Sequence, residues 1–141
     1  MSTQPLDLIT NAVNIARRAH TGQFRRNGIT AYICHPERVA DRLQDESPEV
    51  IATAWLHDVL EDTPQTAESL RAGGIPESVI TAVVTLTKKE GEAYGAYLAR
   101  VKANPIARKV KVADMLDNLR GEPNPKQIKK YAIGLFGLVE E

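Results

Sequence analysis

Apolar residues recur at steps of three and four along almost the whole chain, the spacing of one buried helix face. Leu6, Ile9, Val13 and Ala16 predict an amphipathic helix over about residues 4–20, and Gly22 ends it. A polar loop over 23–30 carries Arg25, Arg26 and Gly28. Pro36 predicts a helix start, with Val39 and Leu43 inward and an end near residue 44. Ser47-Pro48 is a cap followed by proline in the first turn. Its helix runs through Val50, Ile51, Ala54 and Trp55 to about residue 60, and Asp62-Thr63-Pro64 breaks it. A short helix over about 66–72 stops at Gly73-Gly74. Pro76 opens the next, to about residue 86. Its valine, isoleucine and threonine content also suits a strand, but its length and proline start favour helix. Residues 90–103 read as a helix with Tyr94, Tyr97, Leu98 and Val101 on one side. Asn104-Pro105 caps a helix to about residue 120. Asn124-Pro125 caps the last, with Ile128, Tyr131, Ala132, Leu135 and Phe136 inward.

The pattern predicts an all-α fold of about seven or eight helices, read as one domain over 1–141. Composition adds exclusions. No apolar run approaches the ~20 residues of a membrane-spanning helix. The first ten residues, MSTQPLDLIT, lack the basic start and apolar stretch of a signal peptide, so a cytoplasmic protein is expected. Lysine plus arginine and aspartate plus glutamate number 18 each, so the net basic field that would hold duplex nucleic acid is absent. A local basic patch remains open. The single cysteine, Cys34, has no intrachain disulfide partner, in agreement with a reducing compartment. No feature specifies an oligomeric state.

Candidate chemistry centres on HDVLED, residues 57–62. Adjacent helical residues lie ~100° apart, so His57 and Asp58 can reach one ion. Glu61 and Asp62 return four residues later to the same faces if the helix continues, which sets a base beside an activated water. A solvated acidic helix end is the plainer reading. Trp55, Leu56, Val59 and Leu60 weigh against it, because polar groups buried among them need partners or a metal. His35 precedes Pro36 at a helix start, where capping is the alternative role. Asp114 lies in an apolar stretch with Val110, Val112, Ala113 and Leu116, where an acid is usually paired. Two imidazoles and two carboxylates suit Mn²⁺ or Fe²⁺, with positions left for water and substrate.

The blocks ARRAHTGQFRRNG, YICHP, LHDVLEDT, LT and VKVADMLDNLR stand in the order found in the HD phosphohydrolases. They resemble the hydrolase domain of the Rel/Spo alarmone enzymes and the small alarmone hydrolases. The resemblance implies an HD-type helical fold and a divalent metal, Mn²⁺ first and Fe²⁺ or Mg²⁺ next. It implies His35, His57, Asp58 and Asp114 as ligands, and Glu61 and Asp62 as the acids that orient or deprotonate water. Arg25 and Arg26 match a basic pair lining the nucleotide site, and Asn118 an asparagine near the ribose. The implied reaction is removal of the 3′-pyrophosphate from ppGpp or pppGpp, with a small nucleotide as the partner. Three departures bear on substrate rather than metal. The loop from Arg25 to His35 is one residue longer than usual, Gly121 stands where threonine is usual, and the chain to Glu141 is shorter than the stand-alone hydrolases. An HD hydrolase of another nucleotide or phosphoester is therefore the second expectation. A non-catalytic nucleotide-binding module is the third, and the complete ligand set weighs against it. His20, Cys34, Tyr94, Tyr97, Lys88, Lys89 and Asp117 read as structural or solvated residues.

Overall fold

The computed structural model describes residues 5–121 and 123–139, with side chains from residue 7 onward. Nine helices form among the described residues: α1 (Pro5–Ala19), α2 (Cys34–Asp41), α3 (Pro48–Leu56), α4 (Val59–Asp62), α5 (Ala67–Ala72), α6 (Glu77–Leu86), α7 (Tyr94–Ala103), α8 (Pro105–Arg120) and α9 (Pro125–Val139). The fold is all-α, and the valine-rich segment at 77–86 is helix. An isolated antiparallel bridge, Phe24 to Ala31, pinches the loop between α1 and α2 into a hairpin.

The caps are local chemistry. Ser47 accepts a hydrogen bond from the Val50 amide and Asn104 from the Ala107 amide, and each satisfies an amide that a helix start leaves free. Thr66 and Ser69 form a reciprocal capping box at α5. Asn124 and Gln127 do the same ahead of α9. Helix α7 starts four residues later than the predicted position 90. Gly91, at φ 77°, takes a left-handed turn that a helix does not admit.

Helices α3 and α8 run through the centre. Helices α1, α2 and α6 pack on α3, and α2, α6, α7 and α9 pack on α8. Leu56, Val59, Leu70, Met115 and Leu138 are fully buried in one contiguous apolar cluster. Each contributes roughly 1.5–3 kcal/mol by leaving water.

Two inward faces differ from the sequence expectation. Helix α1 buries Leu8, Ala12, Ile15 and Ala16, with Val13 at the margin. The Leu6 side chain lies outside the described residues. Helix α9 turns Gly134 and Leu138 inward, flanked by Tyr131 and Leu135. Ile128, Ala132 and Phe136 face outward, Phe136 being 69% exposed. Both rows have helical spacing. The row with the glycine wins because a Cβ at 134 would stand 2.6 Å from Met115 Cε, so a bare backbone is what lets α9 seat on α8.

Candidate functional site

The helix predicted to about residue 60 is broken inside HDVLED, at His57–Asp58. His57 ends α3 and Asp58 sits in the bridge conformation, φ −105° and ψ 0°, before α4 restarts the chain. The cause is local. The His57 Nδ1–H donates to the Ala54 carbonyl at 2.7 Å, occupying one of the carbonyls that a helix end leaves free. A carbonyl only accepts, so this contact puts a proton on Nδ1 and turns Nε2 inward.

His35, at the start of α2, is held the same way. Its Nδ1 is 2.7 Å from Asp117 Oδ2, and Arg38 Nε donates to Asp117 Oδ1 at 3.0 Å. Burial works against charge on Asp117, but His35 and Arg38 outweigh it and lower its pKa. Asp117 thus holds the Nδ1 edge of the ring from behind, and His35 Nε2 faces inward.

Both imidazoles point at the same carboxylates. His35 Nε2 lies 2.7 Å from Asp114 Oδ1 and 3.9 Å from Asp58 Oδ2. His57 Nε2 lies 3.1 Å from Asp58 Oδ2 and 3.4 Å from Asp114 Oδ1. The ligand atoms of His35, His57 and Asp58 fall within 4.8 Å of one another, and Asp114 joins them through those two short edges. The four residues come from α2, the α3–α4 junction and α8, which pack on one another through the core.

A neutral imidazole whose Nε2 lone pair faces these carboxylate oxygens is repelled, so positive charge is favoured here, as a proton on the ring or as a cation between the groups. His57 Nε2 is buried and has no hydrogen-bond partner among the described residues. Burial disfavours an imidazolium at His57, yet Asp58 and Asp114 override it and raise its pKa well above the ordinary range. Burial likewise opposes the Asp58 anion, while His57 and the Tyr32 hydroxyl stabilise it. The field at this point calls for positive charge. Donor edges near 3 Å are what ligands about 2.0–2.2 Å from a shared ion make, so the residues fit one divalent metal.

Neighbouring groups steady the donors. Tyr32 donates to Asp58 Oδ2 at 2.6 Å. Lys111 donates from Nζ to Asp114 Oδ2 at 3.0 Å, and Asn118 from Nδ2 to Asp114 Oδ1 at 3.3 Å. Arg25 reaches Asn118 Oδ1 at 3.5 Å and lies over the Tyr32 ring. Arg26 is exposed and makes no side-chain hydrogen bond or ion pair among the described residues. Asp62 stands one turn beyond Asp58, its amide bonded to the Asp58 carbonyl at 3.0 Å. Burial and the nearby Asp58 charge raise its pKa. Burial raises that of Glu61 too, partly offset by the Lys88 amide, which donates to Glu61 Oε1 at 2.8 Å. Gln23 donates from Nε2 to the Asp62 backbone carbonyl at 2.7 Å, and its Oε1 meets His20 Nδ1 at 2.8 Å.

Sequence reasoning passed over Tyr32, in the turn before α2, and Lys111, one helical step before Asp114, although each lies three residues from a candidate site residue. It set Asp117 aside as a ligand, and the structure places it behind His35.

No protein-family model matches the chain. A guanosine-3′,5′-bis(diphosphate) 3′-pyrophosphohydrolase of Aquifex aeolicus is 31% identical over 94% of this chain. A probable GTP pyrophosphokinase of Mycobacterium leprae is 32% identical over 89% of it. The chain spans 21% and 17% of those two relatives' lengths. A solved structure described as a metazoan ortholog of SpoT that hydrolyses ppGpp superposes with a TM-score of 0.78 at 24% identity, over 97% of this chain and 88% of the other. The chain is a Rel/Spo-type HD domain. Around its HD pair, Tyr32, Asp117 and Lys111 hydrogen-bond Asp58, His35 and Asp114 respectively. No helix of this HD domain, among the described residues, is long and apolar enough to cross a membrane.

Proposed function

We propose that this HD domain is a metal-dependent (p)ppGpp 3′-pyrophosphohydrolase acting in the cytoplasm as one domain over 1–141. The observation that carries the reading is the buried His57 Nε2, unpartnered among the described residues and aimed at Asp58 and Asp114 beside a second oriented imidazole. His35, His57, Asp58 and Asp114 would hold the metal, with Mn²⁺ the first choice and Fe²⁺ or Mg²⁺ next. When bound, a divalent ion supplies electrophilic assistance to a phosphoryl oxygen and lowers the pKa of water.

The protein's own groups do the rest. Water attacks the phosphorus joined to ribose O3′. The P–O3′ bond breaks, the proton taken from the water passes on to O3′ so that a ribose hydroxyl forms, and pyrophosphate departs. Glu61 and Asp62 are the groups that would aim the water and take its proton, and burial raises the pKa of both. Arg25 and Asn118 line the edge next to Asp114 and would orient the nucleoside, while Arg26 would neutralise phosphate charge nearer the solvent. Relatives in Aquifex aeolicus and Haemophilus influenzae carry this activity in their names, which supports the substrate.

One observation favours a second reading, the same chemistry on another nucleotide or phosphoester. Gly121 follows Arg120 where an alarmone hydrolase usually presents a threonine to substrate, and glycine offers no hydroxyl.

The test is turnover of ppGpp and of a broad phosphoester panel with Mn²⁺, Fe²⁺ and Mg²⁺. Pyrophosphate release from ppGpp, abolished by Asp62→Ala with metal content unchanged, is the expected result. Activity confined to another ester selects the second reading. Metal-replete protein inert on the whole panel leaves only a binding module.

A further inference from the structure

One buried polar side chain stands behind the site. His20 follows the last turn of α1, is 2% exposed, and keeps its Nε2 buried with no hydrogen-bond partner among the described residues. The sequence reads it as structural. An apolar side chain would fill the same space with no unmatched nitrogen, and native structures rarely leave a buried polar atom unmatched. Packing alone does not account for a histidine here, and breaches of this kind gather at working sites.

What the histidine adds is a donor. Gln23 Nε2 donates to the Asp62 carbonyl at 2.7 Å. A carbonyl only accepts, so this contact orients the Gln23 amide and turns its Oε1 toward His20 Nδ1, 2.8 Å away. An amide oxygen also only accepts, so His20 Nδ1 carries the hydrogen. The turn after α1 brings the pair together: Gly22 takes a left-handed conformation, φ 80°, and the Gln23 main-chain amide bonds the His20 carbonyl at 3.0 Å. The ring meets a second support. Its centre lies 5.0 Å from that of Tyr32, whose hydroxyl donates to Asp58 Oδ2 at 2.6 Å. His20 therefore stands behind Asp62 through Gln23 and behind Asp58 through Tyr32.

We propose that His20 is a positioning residue for hydrolysis, its Nδ1–H locking the Gln23 amide that holds the Asp62 backbone while its ring backs Tyr32 against Asp58. The inference rests on the phosphohydrolase reading for the role of Asp62 as the acid that aims water. Asp62 is exposed and ends the four-residue α4, so its side chain takes little direction from packing. Its direction comes from the backbone that Gln23 holds. A displacement of about 1 Å in a positioned group can cost about 100-fold in rate.

The test pairs steady-state turnover of ppGpp by the metal-replete protein with amide hydrogen exchange at Asp62. In His20→Asn the side-chain amide nitrogen stands near the position of Nδ1 and keeps a donor for Gln23. In His20→Gln the amide falls near the position of Nε2 and that donor is lost. His20→Gln and Gln23→Leu are each expected to lower kcat about 10- to 100-fold, with KM within about twofold of the parent. Each should also speed exchange of the Asp62 amide about 5- to 10-fold. His20→Asn should keep kcat within about threefold of the parent. The double variant, H20Q with Q23L, should lose no more than either single one, because both act through one chain of contacts. Gln23 is half-buried in a loop, so Gln23→Leu probes the same link without disturbing the core. A kcat unmoved by His20→Gln or by Gln23→Leu, equal losses in His20→Asn and His20→Gln, or additive losses in the double variant overturns the positioning role. Faster Asp62 exchange in His20→Gln but not in His20→Asn, in a protein inert toward ppGpp, keeps the link and removes the substrate reading.

Discussion

The hydroxyl of Tyr32 gives its one hydrogen to Asp58, and Asp117 holds the outer nitrogen of His35. Neither touches the point where the four donors meet. Both decide how the donors are aimed. Partners in this position typically set metal affinity by about 10- to 100-fold. Tyr32→Phe and Asp117→Asn are each expected to weaken metal binding on that scale in a competitive chelator titration, with the helical circular dichroism unchanged. Wild-type affinity in both would mean the imidazole and carboxylate are held by packing alone. His35, His57, Asp58 and Asp114 could be singled out in the sequence because histidine and aspartate stand out in apolar runs, and the fold brings the four side chains together. Tyr32 and Asp117 could not. Spacing alone does not tell which acid of a helical turn faces the back of an imidazole.

At the scale of elements, helix starts were readable because each is a short dipeptide with its own chemistry: Ser47-Pro48, Asn104-Pro105 and Asn124-Pro125. The division of α3 from α4 was not readable. It depends on a side chain capturing a carbonyl three residues back. The choice of face on α9 was equally hidden, since it turns on Met115 from another helix. Gly134→Ala is expected to destabilise the protein by about 1–3 kcal/mol in urea unfolding, the usual consequence of overpacking a filled core. An unchanged midpoint would show that Met115 swings aside freely. The junction of α6 and α7 makes a pH prediction. Arg100 bonds Glu92 at 2.8 Å and also the carbonyls of Thr85 and Thr87. Chiefly through that Arg100 hydrogen bond, the Glu92 carboxyl titrates at about 2. A lowered carboxyl pKa stabilises the fold above its ordinary titration range and ceases to do so as pH falls through the lowered value. Glu92→Gln should therefore lower Tm at neutral pH, and the gap from wild type should close toward pH 2. A gap constant with pH would place the effect in packing.

For the molecule as a whole, an ion at the four donors would join α2, the α3–α4 junction and α8, which are distant in sequence. Anything that binds only the folded state stabilises it, by about 2.7 kcal/mol at a hundredfold excess over Kd. Stripping the metal with a chelator is expected to lower Tm by roughly 5–10 °C in scanning calorimetry, and re-adding Mn²⁺ should restore it. Identical melting with and without metal would mean that the donors do not hold an ion in the native fold. The class of fold was legible from periodicity because helical spacing repeats along almost every segment. The placement of His20 behind Asp62 was not, since the two share no sequence neighbourhood and are joined only through Gln23.

One amide ties the two working edges together. Gln23 belongs to the hairpin that carries Arg25, yet its Nε2 grips the main-chain oxygen of Asp62. On the proposed reading, a nucleotide that draws the hairpin toward itself would tug the backbone of Asp62. Docking on one rim would then be geared to alignment on the other, and a leucine at position 23 would uncouple them without altering the side chains proposed to hold the metal.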